Sequence, residues 1–219
     1  VAQPTARYPL LLNTGRIRDQ WHTMTRTGTV VRLMQHIAEP VVYISPADAA
    51  RFALSEGDLA HISSPRGVMV ARARIQHGQR EGELFTPMHW NHAFARQGKV
   101  NALVAPVCDP HSGQPESKQT AVRIAAWQPD WQGEFYAREM PPLPANLYWV
   151  RKATDSALHF TLAGNGDASA WLTAWCQTQG WQIQTLRAGT VKNLLAWHHG
   201  QLMLGWWSDT RLPVIAHDV

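Results

Sequence analysis

The chain has few cysteines and no long apolar run, and each absence removes a class of protein. Cys108 and Cys176 are the only cysteines among 219 residues, so neither a disulfide framework nor a zinc or iron–sulfur site can be built from cysteines. No apolar run approaches the roughly 20 residues that a membrane-spanning helix needs. Residues 1–4 show no signal-peptide pattern. We therefore expect a cytoplasmic protein without a membrane partner.

Two nucleotide-binding signatures are also missing. No Gly-x-Gly-x-x-Gly follows a predicted strand, which argues against a Rossmann domain. No basic cluster interleaved with aromatics is present, so we predict no nucleic-acid partner. Charge is nevertheless uneven, because residues 1–125 hold 14 Lys and Arg against 9 Asp and Glu, whereas residues 126–219 hold 6 against 7. The first part therefore suits an anionic partner such as a phosphorylated small molecule.

Short strands and one small helix are predicted across the first part of the chain. Six segments alternate apolar and polar residues or are rich in β-branched residues, which is typical of strands. They are residues 8–12, 41–44, 59–63, 68–75, 83–86 and 120–125. Ser45-Pro46 followed by Asp48 predicts the start of a helix. This order favours a mainly β protein with a compact barrel over a βαβ sheet.

From residue 126 the composition changes. Proline-containing segments predict a linker over residues 126–144, and the remainder predicts a small α+β module over residues 145–219. Its predicted strands are residues 147–150, 158–162, 181–186, 193–197 and 201–206, with a helix over residues 167–179. No motif in this module indicates a function.

The stretch after the first predicted strand combines residue types that suit a ligand with phosphates and a fused ring. Glycine lets backbone N–H groups approach a ligand closely, and arginine grips phosphate oxygens with a planar fork. The hydroxyls offer small donors, and the aromatic pair offers a flat face and a polar edge. The candidates are Thr14, Gly15, Arg16, Gln20, Trp21, His22, Thr23 and Thr25. On composition alone, a solvated surface loop is the simpler interpretation.

Two later stretches carry further candidates. His89 and Trp90 directly follow a predicted strand, although an aromatic at a strand end usually serves the core, and a histidine there often bonds a nearby carbonyl. Asn101 precedes an irregular loop that begins at Asp109 and leads to Lys118. A long loop inside a compact barrel is more often functional than idle.

The order of these residues resembles the C-terminal domain of the molybdopterin oxidoreductases. The matching pieces are Thr14-Gly15-Arg16, Trp21-His22-Thr23, Asn101 with Leu103, Asp109-Pro110 with Ser112, Pro115-Glu116 with Lys118, and Ala121-Val122-Arg123-Ile124. The resemblance covers roughly residues 8–125. Met88-His89-Trp90-Asn91, together with residues 114–118, looks most like the assimilatory nitrate reductases.

The resemblance implies a fold, a cofactor and residue roles. The fold would be a six-stranded double-psi β-barrel that binds molybdopterin guanine dinucleotide, present in the full enzyme as a molybdenum bis-dinucleotide. Backbone N–H groups at Gly15, with Arg16 and Lys118, would bind phosphate. Asn101 would bond a heteroaromatic edge. The aromatic and imidazole side chains would pack on or bond the ring systems; they are Trp21, His22, His89 and Trp90.

The resemblance also implies partners outside this chain. The activity of the full enzyme would be reduction of nitrate to nitrite, with an iron–sulfur cluster and the molybdenum ligand in other parts of the subunit. We therefore expect a C-terminal fragment without catalysis of its own. Its partners would be the remaining domains of its subunit and an electron-donor protein or domain. The alternatives are the same domain of a formate dehydrogenase or another molybdopterin oxidoreductase, and a cofactor-free barrel that binds peptides or nucleic acid.

Overall fold

The computed structural model describes residues 2–140, 143, 145–167, 173–174, 177–178, 180, 182–188, 191–198 and 201–208. The chain divides into two compact units, Val1–Gln128 and Pro129–Val219. Within the described residues, no helix has both the length and the apolar character needed to cross a membrane.

The first unit contains the elements that position the site. In chain order they are β1 (Leu10–Gly15), β2 (Val41–Ile44), α1 (Pro46–Arg51), β3 (Leu59–Ser63), β4 (Val68–Ile75), β5 (Glu83–Pro87), β6 (Ala95–Arg96) and β7 (Thr120–Trp127). Short 3-10 helices occupy Thr27–Thr29, Val31–Met34 and Val100–Ala102. All six predicted strands and the predicted helix are present, with ends that differ by a few residues.

Six of these strands close into a barrel in the order β1-β5-β2-β4-β3-β7. The β1–β5 and β2–β4 pairs are parallel, and the other four pairs are antiparallel. A closed six-stranded barrel in a mainly β chain confirms the predicted fold class. A barrel built only from hairpins would have no parallel pairs.

Strand alternation determines the barrel interior. Leu10 and Leu12 of β1 are fully buried, whereas Asn13 between the inward-facing positions is exposed. Val122 and Ile124 repeat the pattern on β7. These side chains join one apolar core with residues of the other barrel strands. The local pattern therefore determines which face of each strand is buried.

Strand directions bring four connecting segments to one end of the barrel. Gly15 pairs with Pro87 in the parallel β1–β5 pair, so the segments that follow both strands begin side by side. Leu12 pairs with Thr120 in the antiparallel β1–β7 pair, so the chain enters β7 at this end. Because β3 is antiparallel to β7, the β3–β4 turn also lies here. We call this the β1 end of the barrel.

The second unit contains six strands in its described residues. They are β8 (Trp131–Ala137), β9 (Tyr148–Ala153), β10 (Leu158–Gly164), β11 (Gln182–Ala188), β12 (Val191–His198) and β13 (Gln201–Ser208). Antiparallel pairing gives the order β11-β12-β13-β8-β10-β9. All five strands predicted for this part are present. Most of the helix predicted over residues 167–179 lies outside the described residues.

Residues 131–137 differ from the sequence prediction, which assigned them to a linker. They form β8 because Trp131, Phe135 and Ala137 are buried on one face, while Tyr136 on the other face is 40% exposed. The alternation covers only seven residues. The proline-containing segments on both sides of this stretch favour a linker, which is why the sequence does not predict a strand here.

Candidate functional site

Thr14 joins the end of β1 to the segment that enters β7. Its Oγ1 atom donates a hydrogen bond of 2.8 Å to the carbonyl oxygen of Ser117. Its own carbonyl oxygen accepts a hydrogen bond from the Nζ atom of Lys118. The segments around Arg16 and Lys118, which are far apart in the sequence, therefore meet at the β1 end.

His89 ties the segment after β5 to the segment after β1. Its Nε2 atom accepts a 3.0 Å hydrogen bond from the backbone N–H of Ile17, and its Nδ1 atom lies 2.5 Å from the carbonyl oxygen of His22. A backbone N–H only donates and a carbonyl only accepts, so the imidazole is neutral and carries its proton on Nδ1. The pKa of His89 is lowered, mainly by burial. The hydrogen bond to the His22 carbonyl raises it, whereas the charges of Arg16 and His22 lower it further.

Asn91 adds another connection between these segments. Its Nδ2 atom donates a 2.6 Å hydrogen bond to the carbonyl oxygen of Thr23, and its Oδ1 atom accepts one of 2.7 Å from the backbone N–H of Ala93. Met88 donates from its backbone N–H to the carbonyl oxygen of Gly15 at 2.9 Å. The two neighbouring segments are thus joined by backbone and side-chain hydrogen bonds.

Two residues of the segment after β1 have left-handed backbone conformations. His22 has φ of 39° and Met24 has φ of 60°, values that non-glycine residues adopt only at some conformational cost. Met24 is fully buried, and its carbonyl oxygen accepts a 2.8 Å hydrogen bond from the N–H of Gly28. Packing and hydrogen bonds therefore hold this backbone in place.

Packing explains why position 15 is a glycine. A Cβ atom added to Gly15 would lie 2.7 Å from Cε2 of the Phe85 ring. That distance is too short for two carbon atoms, so a larger residue would displace the ring. Close approach of a ligand to the backbone at Gly15 stays a prediction.

Arg16 and Trp21 form an exposed pair in the same segment. The Cζ atom of Arg16 lies 4.8 Å from the centroid of the Trp21 ring, and Trp21 is 55% exposed. The His22 ring meets the indole edge-on, with centroids 4.5 Å apart. Arg16 makes no hydrogen bond or ion pair with any described residue. Its N–H groups are therefore open to an external acceptor, while the ring contact orients the guanidinium.

Gln20 faces the interior of the segment. It is 4% exposed, and its Nε2 atom donates to the carbonyl oxygen of Leu33 at 2.8 Å and to Sδ of Met34 at 3.1 Å. Its Oε1 atom accepts a 2.6 Å hydrogen bond from Thr27. Both ends of the amide are thus used within residues 20–34. Of the remaining candidates here, the side chains of Thr23 and Thr25 are exposed.

Two buried polar atoms at the β1 end lack a partner in the described residues. Trp90 is 2% exposed and its Nε1 atom makes no hydrogen bond; Thr86 is fully buried and its Oγ1 atom makes none. Thr86 lies directly opposite Thr14 in the β1–β5 register. An unpaired buried donor costs about 1–3 kcal/mol, so each such atom calls for an explanation.

Asn101 lies on the 3-10 helix Val100–Ala102, which packs on the β3–β4 turn. Ser64 donates from Oγ to the carbonyl oxygen of Leu103 at 2.7 Å. A Cβ atom at Gly67 would lie 2.6 Å from the carbonyl oxygen of Ala102, so the two backbones are in close contact. The Asn101 side chain is exposed and makes no hydrogen bond with the described residues.

Asp109 orders the loop that leads to Lys118. Its Oδ1 atom accepts hydrogen bonds from the backbone N–H of His111 at 3.1 Å and from the N–H and hydroxyl of Ser112 at 2.7 and 2.9 Å. The backbone and side-chain hydrogen bonds from Ser112, followed by the one from His111, lower the pKa of Asp109. Glu116 then accepts from the backbone N–H of Lys118 at 2.9 Å.

A cavity of about 420 Å³ opens beside these loops. Its walls come from the β3–β4 turn, the chain after the Asn101 helix, and the start of β7; they include Pro65, Arg66, Leu103, Val107, Glu116 and Gln119. The lining is mainly apolar but includes two charged side chains of opposite sign, Arg66 and Glu116. Its volume lies within the range of small-molecule sites.

The structure thus brings most of the predicted residues to one end of the barrel, and four of the predicted residues are buried: Thr14, Gln20, His89 and Trp90. Three further residues of the site were not predicted from the sequence: Thr86, Asn91 and Ser117. Asn91 stands within the Met-His-Trp-Asn stretch and could have been found there, whereas Thr86 is revealed only by strand register. No cluster of three or more metal-ligating side chains occurs among the residues that the structure describes.

Comparisons with known proteins identify the family of the first unit. The model of the Molydopterin dinucleotide binding domain matches residues 10–121. A nitrate reductase of Klebsiella oxytoca is 62% identical over 99% of this chain and 26% of its own length. The assimilatory nitrate reductase catalytic subunit of Bacillus subtilis is 34% identical over 56% of this chain and 17% of its own length.

A formate dehydrogenase also matches the first unit. The F420-dependent formate dehydrogenase subunit alpha of Methanocaldococcus jannaschii is 36% identical over 55% of this chain and 17% of its own length. The chain thus spans about a quarter or less of these relatives. By its matched residues and its barrel, the chain belongs to the molydopterin dinucleotide binding domain family.

Proposed function

We propose that this chain is the part of a molybdenum-dependent nitrate reductase that binds molybdopterin guanine dinucleotide at the β1 end of its barrel. The observation that carries the proposal is the meeting of two distant segments at Thr14, where Lys118 and Ser117 bond the residue that precedes Gly15-Arg16. In the full enzyme the bound cofactor supplies the molybdenum chemistry that reduces nitrate to nitrite.

The residues at this end fit such a cofactor in their chemistry. Arg16 has N–H donors that are free to bind a phosphate, and contact with the exposed Trp21 ring orients its guanidinium group. The ammonium of Lys118 has three donors and gives one to Thr14, so two remain for a phosphate. The amide of Asn101 is exposed and complements the edge of a heteroaromatic ring.

Two buried side chains bear on the same assignment. The Nε1 atom of Trp90 is a donor without a partner among the described residues but is closed to solvent, so a bound ring or carbonyl would reach it only if the surrounding loops moved. Gln20 serves the loop itself, because both ends of its amide bond Thr27, Leu33 and Met34. We therefore assign Gln20 to loop support rather than cofactor contact.

The wider setting of this domain is part of the proposal. The remaining domains of the subunit would carry the molybdenum ligand and an iron–sulfur cluster, and this chain by itself would not be catalytic. We propose an assimilatory role, the one named for the Bacillus subtilis subunit, together with a cytoplasmic location and an electron-donor protein or domain as partner.

Arg16→Ala and Lys118→Ala in the intact subunit test the assignment. We expect each change to lower the cofactor content of the purified protein by about tenfold, the effect of one lost charge-assisted hydrogen bond. Released guanine nucleotide measures cofactor content, and nitrate reduction measures activity. Arg18→Ala is the matched control, because Arg18 is an exposed arginine of the same loop that pairs with Asp19. Full cofactor content in both test variants would contradict the proposal.

A formate dehydrogenase is the second candidate, because the Methanocaldococcus jannaschii subunit matches the same unit. Assay of the intact subunit with nitrate and with formate separates the two. A cofactor-free barrel would instead bind single-stranded nucleic acid in a salt-sensitive way, with no uptake of the guanine dinucleotide.

A further inference from the structure

Both ring nitrogens of His89 form hydrogen bonds with the segment that follows β1. The contacts are the N–H of Ile17 at 3.0 Å on Nε2 and the carbonyl oxygen of His22 at 2.5 Å on Nδ1. The side chain is fully buried. One imidazole therefore bridges residues 17 and 22, and the bridged stretch directly follows Arg16 and contains Trp21.

We infer that His89 is a positioning residue: its neutral form holds residues 17–22 in the conformation that presents the Arg16–Trp21 pair, and its protonation breaks the hydrogen bond from Ile17 and opens the segment at that residue. This goes beyond the roles assigned above and rests on the proposed function only for its effect on cofactor binding. It also replaces direct contact of His89 with the cofactor, because neither ring nitrogen is left for a ligand.

The two contacts impose opposite requirements on the ring. Nε2 must carry a lone pair to accept from Ile17, and Nδ1 must carry the proton to donate to His22. Protonation adds a hydrogen to Nε2. This N–H then faces the backbone N–H of Ile17, and two donors cannot form a hydrogen bond with each other. The Ile17 bond is lost, whereas the His22 bond survives. The imidazolium would therefore push the segment open at residue 17.

The backbone at His22 explains why a bridge is needed. With φ of 39°, His22 has a conformation that a non-glycine residue leaves when nothing holds it. Its carbonyl oxygen accepts from His89, and the carbonyl oxygen of the next residue, Thr23, accepts from Asn91 at 2.6 Å. The strained turn is thus held from the segment that follows β5.

The charges around His89 oppose its protonation. The charged or titratable groups that act on it are Arg16 and His22, both of which lower its pKa in addition to burial. No carboxylate contacts it among the described residues. The neutral form, and with it the closed segment, therefore persists at neutral pH and is lost only below the ordinary histidine range.

Hydrogen exchange in the intact subunit tests this inference without using activity. The peptide that covers residues 16–24 is followed by mass spectrometry from about pH 8 to about pH 4, well below the ordinary histidine value of about 6.5, with rates corrected for intrinsic exchange. We expect the protection of the wild type to fall by about tenfold or more as the pH falls, because one hydrogen bond is lost and a buried donor is left unpaired. Protection that does not change with pH would overturn the inference.

Three substitutions at His89 separate positioning from simple packing. His89→Ala should abolish protection at every pH, whereas His89→Gln and His89→Asn, which each restore one of the two hydrogen bonds, should recover part of it without pH dependence. His92→Ala is the matched control, because His92 is an exposed histidine three residues away, and it should match the wild type. Should the alanine variant fail to fold, the glutamine variant and the wild-type pH profile decide the question.

Cofactor content of the same proteins links the segment to the proposed function. We expect His89→Ala to lose about tenfold or more of its bound guanine dinucleotide and His89→Gln to lose less. Wild-type content in His89→Ala would overturn the coupling. If residues 16–24 of the wild type lose protection as the pH falls but the protein takes up no cofactor, the proposed function would be wrong. The bridge that His89 makes between Ile17 and His22 would then still be supported.

Discussion

The ammonium group of Lys118 donates a hydrogen bond to the carbonyl oxygen of Thr14, which lies 104 positions earlier in the chain. The Oγ1 atom of Thr14 in turn donates to Ser117 at 2.8 Å. Two hydrogen bonds in opposite directions therefore join the end of β1 to the start of β7. They hold a positive charge at the point where the chain continues into Arg16.

Thr14 and Thr86 face each other in the β1–β5 register, and we expect opposite results when each becomes valine. Thr14→Val removes the donor to Ser117 and should lower the free energy of unfolding by about 1–2 kcal/mol. Thr86→Val removes a buried hydroxyl without a partner and should leave this free energy unchanged or raise it by about 1 kcal/mol. Urea denaturation of the cofactor-free protein measures both. Equal losses in the two variants would contradict the hydrogen-bond assignment.

Gly15→Ala should destabilise the protein through the Phe85 ring. The added Cβ atom would lie 2.7 Å from that ring, so we expect a loss of about 1–3 kcal/mol in the free energy of unfolding. Phe85→Leu in the same chain should recover part of this loss. Gly78→Ala is the control, because a Cβ atom there meets nothing within 4 Å. Thermal or urea denaturation of the wild type, Gly15→Ala, Phe85→Leu and the double variant forms a double-mutant cycle, and strict additivity would rule out the contact.

Trp90→Phe should weaken cofactor binding without a matching loss of stability. The indole N–H of Trp90 has no partner among the described residues, so its removal breaks no internal hydrogen bond. If this N–H serves the cofactor, retention of guanine dinucleotide should fall by about tenfold. Trp149→Phe is the matched control, because Trp149 is also buried with an unpartnered Nε1 atom and lies in the second unit. Equal retention in the two variants would exclude a role for the Trp90 donor.

The hydrogen bonds that order the loop before Lys118 should be lost in acid, at a pH set by the pKa of Asp109. The pKa of this carboxyl is lowered by its hydrogen bonds with Ser112 and His111. A lowered pKa means that the bonds contribute fully above the ordinary value of about 3.9 and are lost as the pH falls through the lowered value. Amide NMR signals of His111 and Ser112 between about pH 6 and about pH 2 measure the midpoint. Asp109→Asn keeps an acceptor oxygen without the charge and should show no midpoint in this range.

Local patterns were sufficient to predict the barrel strands. Segments such as Val41–Ile44 and Leu59–Ser63 carry their own alternation or β-branched composition, and burial follows from it. The prediction failed at Trp131–Ala137, where prolines on both sides outweighed a short alternation. A strand of that length depends on its neighbours β10 and β13 for its assignment.

Candidate residues could be chosen from the sequence, but their contacts could not. The sequence alone determined that Arg16, Trp21 and Lys118 stand in connectors of a small barrel with a basic first part. Only the tertiary structure decided that Lys118 bonds Thr14 and that His89 bridges a strained turn. These partners lie 67 to 104 positions apart, and the registers of the β1–β5 and β1–β7 pairs bring them together. Register depends on how the whole barrel closes, which no local stretch of sequence encodes.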